Sequence, residues 1–386
     1  MISLKNFKKI FYIIFSGKIK LNKIKKKKIL IFDKMTLRES YKFFKLSQYT
    51  FLHTRHEEYN FFVIMNMLTK FKFSKKSYVE SYIRLVDPKI VISSNEHDTI
   101  FYKLKKIFPN VNFCMVQNGS RSKNFDNFDN LKKNQGNFEI DYFFVFNRYL
   151  AKEYKKFIKF KTCITGSLKN NCFKIKNERK FKNSLLFISQ FKFSGFDINK
   201  NSITKKLYLT NDKSFWIENI ILPYIEDYCK KNNYKFSILG RYDKSEKYSL
   251  YEKNYFKRLL NHKFKFYSKD KYNYKIIDKY DTILAINSTL GHEALSRKRK
   301  VIYICGRKVN NKLVTEFLWP KKNPKSGNFF THSTDRKSIE KVLKNNLPLD
   351  YKEWFKKNQH YIKDYMPFDY KNKIFKNKIK QILRRS

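Results

Sequence analysis

Asp281-Thr-Ile-Leu-Ala-Ile-Asn-Ser-Thr-Leu-Gly-His-Glu-Ala-Leu295 carries the plainest structural signal in the chain. Asp281 to Ile286 is a short β-branched and apolar run of the kind that forms a fully buried parallel strand. It halts at Asn287-Ser288-Thr289, residue types that cap helices, and Leu290, Ala294 and Leu295 continue at helical spacing. The stretch predicts a strand, a tight turn and a helix start, with a second strand over Lys300 to Ile304. A helix N-terminus at the carboxyl end of a parallel strand offers N–H groups and the positive end of a dipole, worth roughly 0.3–1 kcal/mol to an anion. The ligand chemistry this favours is phosphate.

The same rhythm of strand and helix runs through the rest of the chain. Strands are expected at Lys28–Asp33, Phe51–Arg55, Pro88–Ser94, Val111–Val116, Asp141–Phe146 and Thr162–Thr165, with helices at Leu37–Leu46, Tyr59–Leu68, Ser77–Val86, Thr99–Phe108 and Tyr149–Ile158. A polar stretch from Ser122 to Gly136 reads as a loop, and Asn170 to Asn183, without apolar periodicity, as a linker. The pattern restarts with strands at Ser184–Ser189, Lys235–Leu239 and Phe264–Tyr267 and helices at Phe215–Lys231, Tyr248–Leu260 and Tyr274–Tyr280. Phe193 to Ser214 reads as a polar excursion able to act as a lid. Gly306 to Thr331 reads as irregular, Arg336 to Lys344 as helical, and Tyr351 to Leu383 as two further charged helices. Two such series imply an α/β protein of two doubly wound, Rossmann-like domains facing a cleft. The expected boundaries are a basic leader over 1–27, a first domain over 28–175, a second over 184–345, and C-terminal helices over 346–386 that pack back on the first lobe.

With 386 residues the chain is long enough for two cores. It holds 85 basic and 33 acidic residues, a net charge of +52, which raises nucleic acid or an anionic membrane as partners. The lysines are spread through nearly every segment, beside abundant Asn, Ile, Phe and Tyr, which fits codon drift toward A and T better than a recognition face. Cys114, Cys163, Cys172, Cys229 and Cys305 show no C-x-x-C spacing and read as reduced thiols of a cytoplasmic protein. Ile10 to Phe15 is too short for a signal peptide or a span. With Lys25–Lys28 it suits a basic segment resting peripherally on the inner membrane face, or else a frayed charged leader before the first strand.

Pro88-Lys-Ile-Val-Ile with Phe101-Tyr-Lys-Leu-Lys105, then Val116-Gln-Asn-Gly-Ser-Arg121, Asp141-Tyr-Phe, Gly166-Ser-Leu-Lys-Asn170 and Asn287-Ser-Thr-Leu-Gly-His-Glu-Ala-Leu295 form an ordered set. Together they resemble the bacterial surface-carbohydrate biosynthesis proteins, which are similar to glycosyltransferases of the two-lobed GT-B architecture. The resemblance spans roughly Lys28 to Lys344. It implies that the C-terminal lobe holds a nucleotide-diphosphate sugar, that the N-terminal lobe holds a glycan or lipid-linked acceptor, and that the trailing helices brace the first lobe. Related enzymes often carry His where this chain has Asn118, and an amide cannot serve as a general base.

Sugar transfer needs the leaving diphosphate stabilised as its charge grows. No D-x-D pair is present to clamp a divalent ion, so the expected site is metal-free and needs no cofactor. Its phosphate-binding residues would be Ser288, Thr289, Gly291 and Arg241, with Gly291 letting the ligand approach the backbone. Against this stands an ordinary capped helix. For Glu293 the resemblance implies a contact to ribose or sugar hydroxyls, the alternative being a first-turn acid complementing the dipole. His292 reads as a surface histidine. Gln117, Asn118, Gly119 and Arg121 close one strand toward the cleft, and Gly166 and Ser167 another. A base from the first lobe would come from His97 or Asp98, with His53 and Glu57 behind them. No G-x-S-x-G elbow and no G-x-x-x-x-G-K-[ST] loop occurs. Beside a glycosyltransferase, the sequence leaves open a sugar-nucleotide 2-epimerase of the same fold, a non-catalytic scaffold, and a basic nucleic-acid-binding protein.

Overall fold

The structure, a computed structural model, describes residues 19–33, 41–54, 58–69, 74–123, 127–134, 136–176, 181–191, 196–197, 202–203, 216–269, 273–309, 312–314, 317–322 and 324–385. The chain forms two compact units. The first gathers residues 1–118, 130–172 and 369–386, and the second gathers 119–129 and 173–368.

The first unit is built on a six-stranded sheet of β1 (Ile29–Phe32), β2 (Tyr49–Leu52), β3 (Ile90–Ser93), β4 (Asn112–Val116), β5 (Phe138–Val145) and β6 (Ile158–Ile164). Its order is β2-β1-β3-β4-β5-β6 and every pair is parallel. All four residues of β1 and of β3 are buried, as a parallel strand covered on both faces requires. The direction of winding reverses between β1 and β3, so the carboxyl ends of these strands, at Asp33 and Ser94, flank a crevice of the kind that binds ligands in open α/β sheets.

The helix Lys75–Val86 shows how local sequence sets this packing. Ser74 caps it, its Oγ accepting from Ser77 N at 3.0 Å, while Tyr78, Val79, Ile83 and Val86 turn one stripe inward. The chain-terminal helix Lys373–Arg385 does the same from far away in sequence. Phe375, Ile379 and Ile382, one face at helical spacing, pack with Ile29, Ile31, Ile90, Ile92 and Phe144. Each such side chain contributes roughly 1.5–3 kcal/mol when fully buried. An amide clasp fixes the register. Asn171 Nδ2 donates to Asn372 Oδ1 at 3.0 Å and to Thr165 O at 2.9 Å, and Asn372 Nδ2 donates to Leu168 O at 2.9 Å.

The second unit repeats the architecture with another winding. Its strands are β7 (Phe181–Ile188), β8 (Lys235–Asp243), β9 (Lys265–Lys269), β10 (Tyr280–Ala285), β11 (Lys300–Ile304) and β12 (Phe330–Thr331), in the order β9-β8-β7-β10-β11-β12, all parallel. This is the 3-2-1-4-5-6 order of a dinucleotide-binding sheet, with its switch point between β7 and β10. On one face the helices Trp216–Lys231 and Arg336–Asn346 bury Ile221, Leu222, Ile225, Ile339, Val342 and Leu343 together. Tyr351–Ile362 also belongs to this unit: Trp354 is fully buried and donates Nε1 to Asn346 Oδ1 at 2.8 Å.

A fully buried ion pair ties the unit's entry to its centre. The Arg297 guanidinium donates to Asp278 Oδ1 at 2.8 Å and to the carbonyls of Phe173 and Lys174 at 3.0 and 3.1 Å, while Lys176 N donates to Asp278 Oδ2 at 3.0 Å. The expected linker Asn170–Asn183 is therefore largely built structure. Asn170 and Asn171 finish a helix, Arg297 holds Phe173 and Lys174, Asp278 holds Lys176, and Phe181 opens β7, while 177–180 lie outside the described residues.

Other expectations need correction. The loop expected over Ser122–Gly136 contains the helix Asn127–Lys133, formed because Phe128 and Leu131, one turn apart, are both buried. The helix at Thr99 stops at Lys103. The stretch Gly306–Thr331 supplies a sixth strand, β12. Of the helix expected over Leu37–Leu46, residues 37–40 lie outside the described residues and Tyr41–Phe43 is a 3-10 turn. The lid expected over Phe193–Ser214 lies outside the described residues except for the two-residue strands Phe196–Asp197 and Ser202–Ile203.

The clasp makes a prediction. Asn372→Ala leaves the Leu168 carbonyl and one Asn171 amide hydrogen without their partner, and should cost about 1–3 kcal/mol of stability. Urea unfolding checks it, and an unmoved midpoint would show that the clasp contributes nothing.

Candidate functional site at the carboxyl edge of the second sheet

The signal stretch folds as strand, turn and helix. After Ala285 the chain turns through Ile286 and Asn287, and Ser288 caps the helix Thr289–Ser296, its Oγ accepting from Leu290 N at 3.3 Å. Register places this turn beside the switch point. Leu284 pairs with Phe187, and Phe187 with Ile238, so Asn287 and Gln190, just past their strands, and Arg241, near the end of β8, lie at about one height. Arg241 and Asn287 are two strands apart, roughly 10 Å.

Gly291 is explained by packing rather than by a ligand. A Cβ there would lie 2.7 Å from Ala285 Cβ and 3.2 Å from the Tyr303 ring. Glycine lets the helix rest directly on β10 and β11, the role of the third glycine in a dinucleotide fingerprint, so the expectation of backbone approach to ligand gives way to helix–sheet contact.

His292 is likewise not a surface residue. It is 1% exposed, stacked on Phe317 at a ring-centroid distance of 6.1 Å and flanked by Tyr303 at 5.3 Å and Tyr365 at 5.6 Å. Neither ring nitrogen has a hydrogen-bond partner among the described residues, and burial pushes its pKa down to about 4. Glu293 is also buried, its Oε2 accepting from Tyr274 Oη at 2.9 Å.

The loop after β4 supplies the rest. Gln117 is buried and structural, its Oε1 accepting from Phe146 N at 2.8 Å. Asn118 has an exposed side chain and donates its N–H to Glu96 Oε1 at 2.7 Å. The next three residues meet the capped helix. Ser120 N donates to Thr289 Oγ1 at 2.9 Å, the two hydroxyls lie 3.2 Å apart, and Arg121 Nη1 donates to Ser120 O at 2.8 Å. A Cβ on Gly119 would meet both Arg121 Nη1 and Thr289 Oγ1 at 3.3 Å. Gly119, Ser120, Arg121, Ser288 and Thr289 thus form one cluster. Ser120 was not among the residues expected in the site. Its place between Gly119 and Arg121 was the available signal.

Arg241 stands on the other side of the switch point. Its side chain is exposed, with Nη1 donating to Gln190 O at 3.3 Å, and its N–H donates to both oxygens of Glu252 at 2.9 Å. Glu252 also accepts from Ser189 Oγ at 2.5 Å, and Glu218 accepts from Gln190 N at 2.7 Å. Both carboxyls are buried. Burial raises the pKa of each, that of Glu218 to about 8. Two carboxyls under the sheet edge therefore hold the turns that present Gln190 and Arg241.

The remaining candidates lie in the first unit and are mostly occupied. Asp98 caps the helix Thr99–Lys103, accepting from Ile100 N at 3.1 Å, and pairs with Lys75 Nζ at 2.9 Å. His97 is exposed, with its carbonyl accepting from Asn130 Nδ2 at 3.0 Å. Gly166 has φ 66° and Ser167 caps the helix Leu168–Asn171, so both serve the amide clasp region. His53 lies 3.7 Å from Glu58, and Glu57 is outside the described residues. Glu96, which sequence reasoning passed over, is 1% exposed and accepts from Asn118 N and Tyr154 Oη.

Residues 114–383 match a family described as "putative O-antigen biosynthesis protein". The chain belongs to this family. The matched region of this surface-carbohydrate protein begins in β4, takes in the Gln117–Arg121 loop and the whole second sheet, and ends in the helix Lys373–Arg385. No curated protein matches it. Among solved structures, the wall teichoic acid polymerase TagF aligns with a TM-score of 0.53 at 10% identity, over 99% of this chain and 94% of that one. The UDP-GlcNAc 2-epimerase of Methanocaldococcus jannaschii aligns with a TM-score of 0.52 at 13% identity, over 94% of this chain and 100% of that one. These likenesses show the fold, two Rossmann-like units of GT-B type. Among the described residues, no helix of this O-antigen family member is long and apolar enough to cross a membrane.

The caged histidine makes stability depend on pH. Its folded-state pKa of about 4 lies below the ordinary 6.5, so between these values the unfolded chain binds a proton that the folded protein refuses. Stability contributed by neutral His292 is present above 6.5 and is lost as pH falls toward 4. His292→Leu should flatten the fall in urea midpoint across that window, and an equally steep fall in the variant would show that other groups cause it.

Proposed function

We propose that this protein is a glycosyltransferase of surface-glycan assembly whose second unit binds the diphosphate of a nucleotide-activated sugar at the carboxyl edge of its sheet. The observation that carries the reading is the cluster of Ser120, Arg121, Ser288 and Thr289 beside the switch point of a 3-2-1-4-5-6 sheet. The N-terminus of the helix Thr289–Ser296 and Arg121 meet there, with Arg241 two strands away, and an arginine–phosphate bond contributes about 1.5–3 kcal/mol. The epimerase of the same fold was solved in complex with UDP-GlcNAc and UDP, which supports a nucleotide ligand.

In the proposed reaction an acceptor hydroxyl attacks the anomeric carbon and the nucleoside diphosphate departs. Arg121, Arg241 and the Ser288–Thr289 cap stabilise its growing charge, and with no D-x-D pair in the sequence this set serves in place of a metal clamp. Glu293 lies too deep to reach solvent freely and positions the helix through Tyr274. The acceptor falls to the first unit. Asp98 is engaged by a helix N–H and by Lys75, so the base role falls to His97, whose side chain is exposed. A lipid-linked acceptor would set the enzyme on the cytoplasmic face of the membrane.

A second reading, a sugar-nucleotide 2-epimerase, is favoured by the full-length alignment with the Methanocaldococcus enzyme. It requires the sugar to change stereochemistry with no acceptor present, which NMR of the nucleotide sugar detects.

The donor site is tested by titration calorimetry with UDP, CDP and GDP. Ser288→Ala/Thr289→Ala should weaken the preferred diphosphate about tenfold or more, the loss of roughly 1.4 kcal/mol from two hydroxyl contacts. Arg121→Ala should do the same, and EDTA should change nothing. Unaltered affinity in both variants would sink the assignment.

A further inference from the structure

The helix Phe61–Leu68 reads Phe-Phe-Val-Ile-Met-Asn-Met-Leu, apolar at every position but Asn66, yet Val63 is its only buried residue. Phe61 and Phe62 are each 40% exposed and Met65 is 42% exposed. Positions 61, 62 and 65 share one helical face. The helix is firmly set. Asn60 caps it, its side chain accepting from Phe62 N and Val63 N while its amide donates to Asn22 O at 2.8 Å. Ile19–Lys20 runs parallel to Tyr59–Asn60, with Lys20 opposite Asn60, so Leu21, 70% exposed, follows the strand that pairs with the residues leading into this helix. Three large apolar side chains on one helix, and a fourth next to the strand pair that leads into it, therefore stand in water, a cost that a folded protein rarely carries without a use.

Their surroundings are basic. Lys20, just before Leu21, and Lys23, Lys25 and Lys26, on the segment that leads from it to β1, are exposed. Glu58 stands 3.8 Å from Lys20 and Asp87 3.0 Å from Lys26, while Lys23 and Lys25 have no carboxylate within 4.0 Å among the described residues. A second copy of the chain is a poor occupant. It would bring the same lysines against these, and four side chains cover on the order of a few hundred Å², well below the roughly 1,200 Å² of a stable interface. An apolar ridge beside cationic groups matches the acyl boundary and the phosphates of an anionic bilayer.

We propose that this face of the first unit docks on an anionic lipid surface, with Leu21, Phe61, Phe62 and Met65 entering the interface and Lys23 and Lys25 pairing with lipid phosphates. Docking there is independent of turnover and of the donor site, since every residue it uses lies in the first unit. It gives the enzyme a fixed footing next to an acceptor carried on lipid.

The test is flotation of the full chain with vesicles of phosphatidylcholine alone or with about 30 mole per cent phosphatidylglycerol. The wild type should float with the anionic vesicles only. Phe61→Ser/Phe62→Ser/Met65→Ser, which leaves every charge in place, should lower partitioning about tenfold or more, and Lys23→Glu/Lys25→Glu should lower it and flatten its salt dependence. Diphosphate affinity, read in parallel, should be unchanged in both variants and separates failure here from failure of the donor-site reading. Equal flotation of the serine variant would reduce the effect to diffuse charge and overturn the proposal. So would absence of wild-type binding, or a dimer in light scattering that the serine variant abolishes.

Discussion

The fully buried pair of Arg297 and Asp278 is the constraint on which the second unit depends. An unpaired charge at that depth costs several kcal/mol, so neither residue can leave the other. Arg297 also holds the carbonyls of Phe173 and Lys174, and Asp278 holds the N–H of Lys176. The pair thereby fixes three things at once: where the chain enters the unit, where the short helix Asn273–Ile277 ends, and where the helix capped by Ser288 stops. With its C-terminal end tied by Arg297 and its middle set on the sheet by Gly291, that helix has one orientation left. Its N-terminus, capped by Ser288, points out of the carboxyl edge of the sheet.

Much of the scaffold was legible because buried parallel strands announce themselves. Ile29–Phe32, Ile90–Ile92 and Val301–Ile304 are continuous apolar runs, as strands covered on both faces favour. What stayed hidden has short or distant causes. β12 is two residues long, too few for any periodicity. The helix Asn127–Lys133 declares itself only through Phe128 and Leu131 in a polar stretch. The cage around His292 comes from Tyr303, Phe317 and Tyr365, none of them local to it.

The site was legible in part, for the same physical reasons. Ser288 as a cap follows from residue type and position. That Thr289 would receive the N–H of Ser120, 169 residues earlier, follows from no local rule. Gly291 was seen as special, but the reason lies in the Cβ of Ala285 and the ring of Tyr303. Asp98 has a partner, Lys75, that no local rule announces. An acid after a strand end suggests chemistry, whereas the helix that follows and Lys75 claim both of its oxygens.

The first unit is discontinuous, and its last piece arrives late. Phe375, Ile379 and Ile382 close a face of the first sheet, yet they follow the whole second unit in the chain. During synthesis β1 to β6 must wait, with that apolar face uncovered, until the second unit has left the ribosome. The first unit is thus the earlier to be made and the later to be finished, and the interval between is its period of greatest exposure to aggregation.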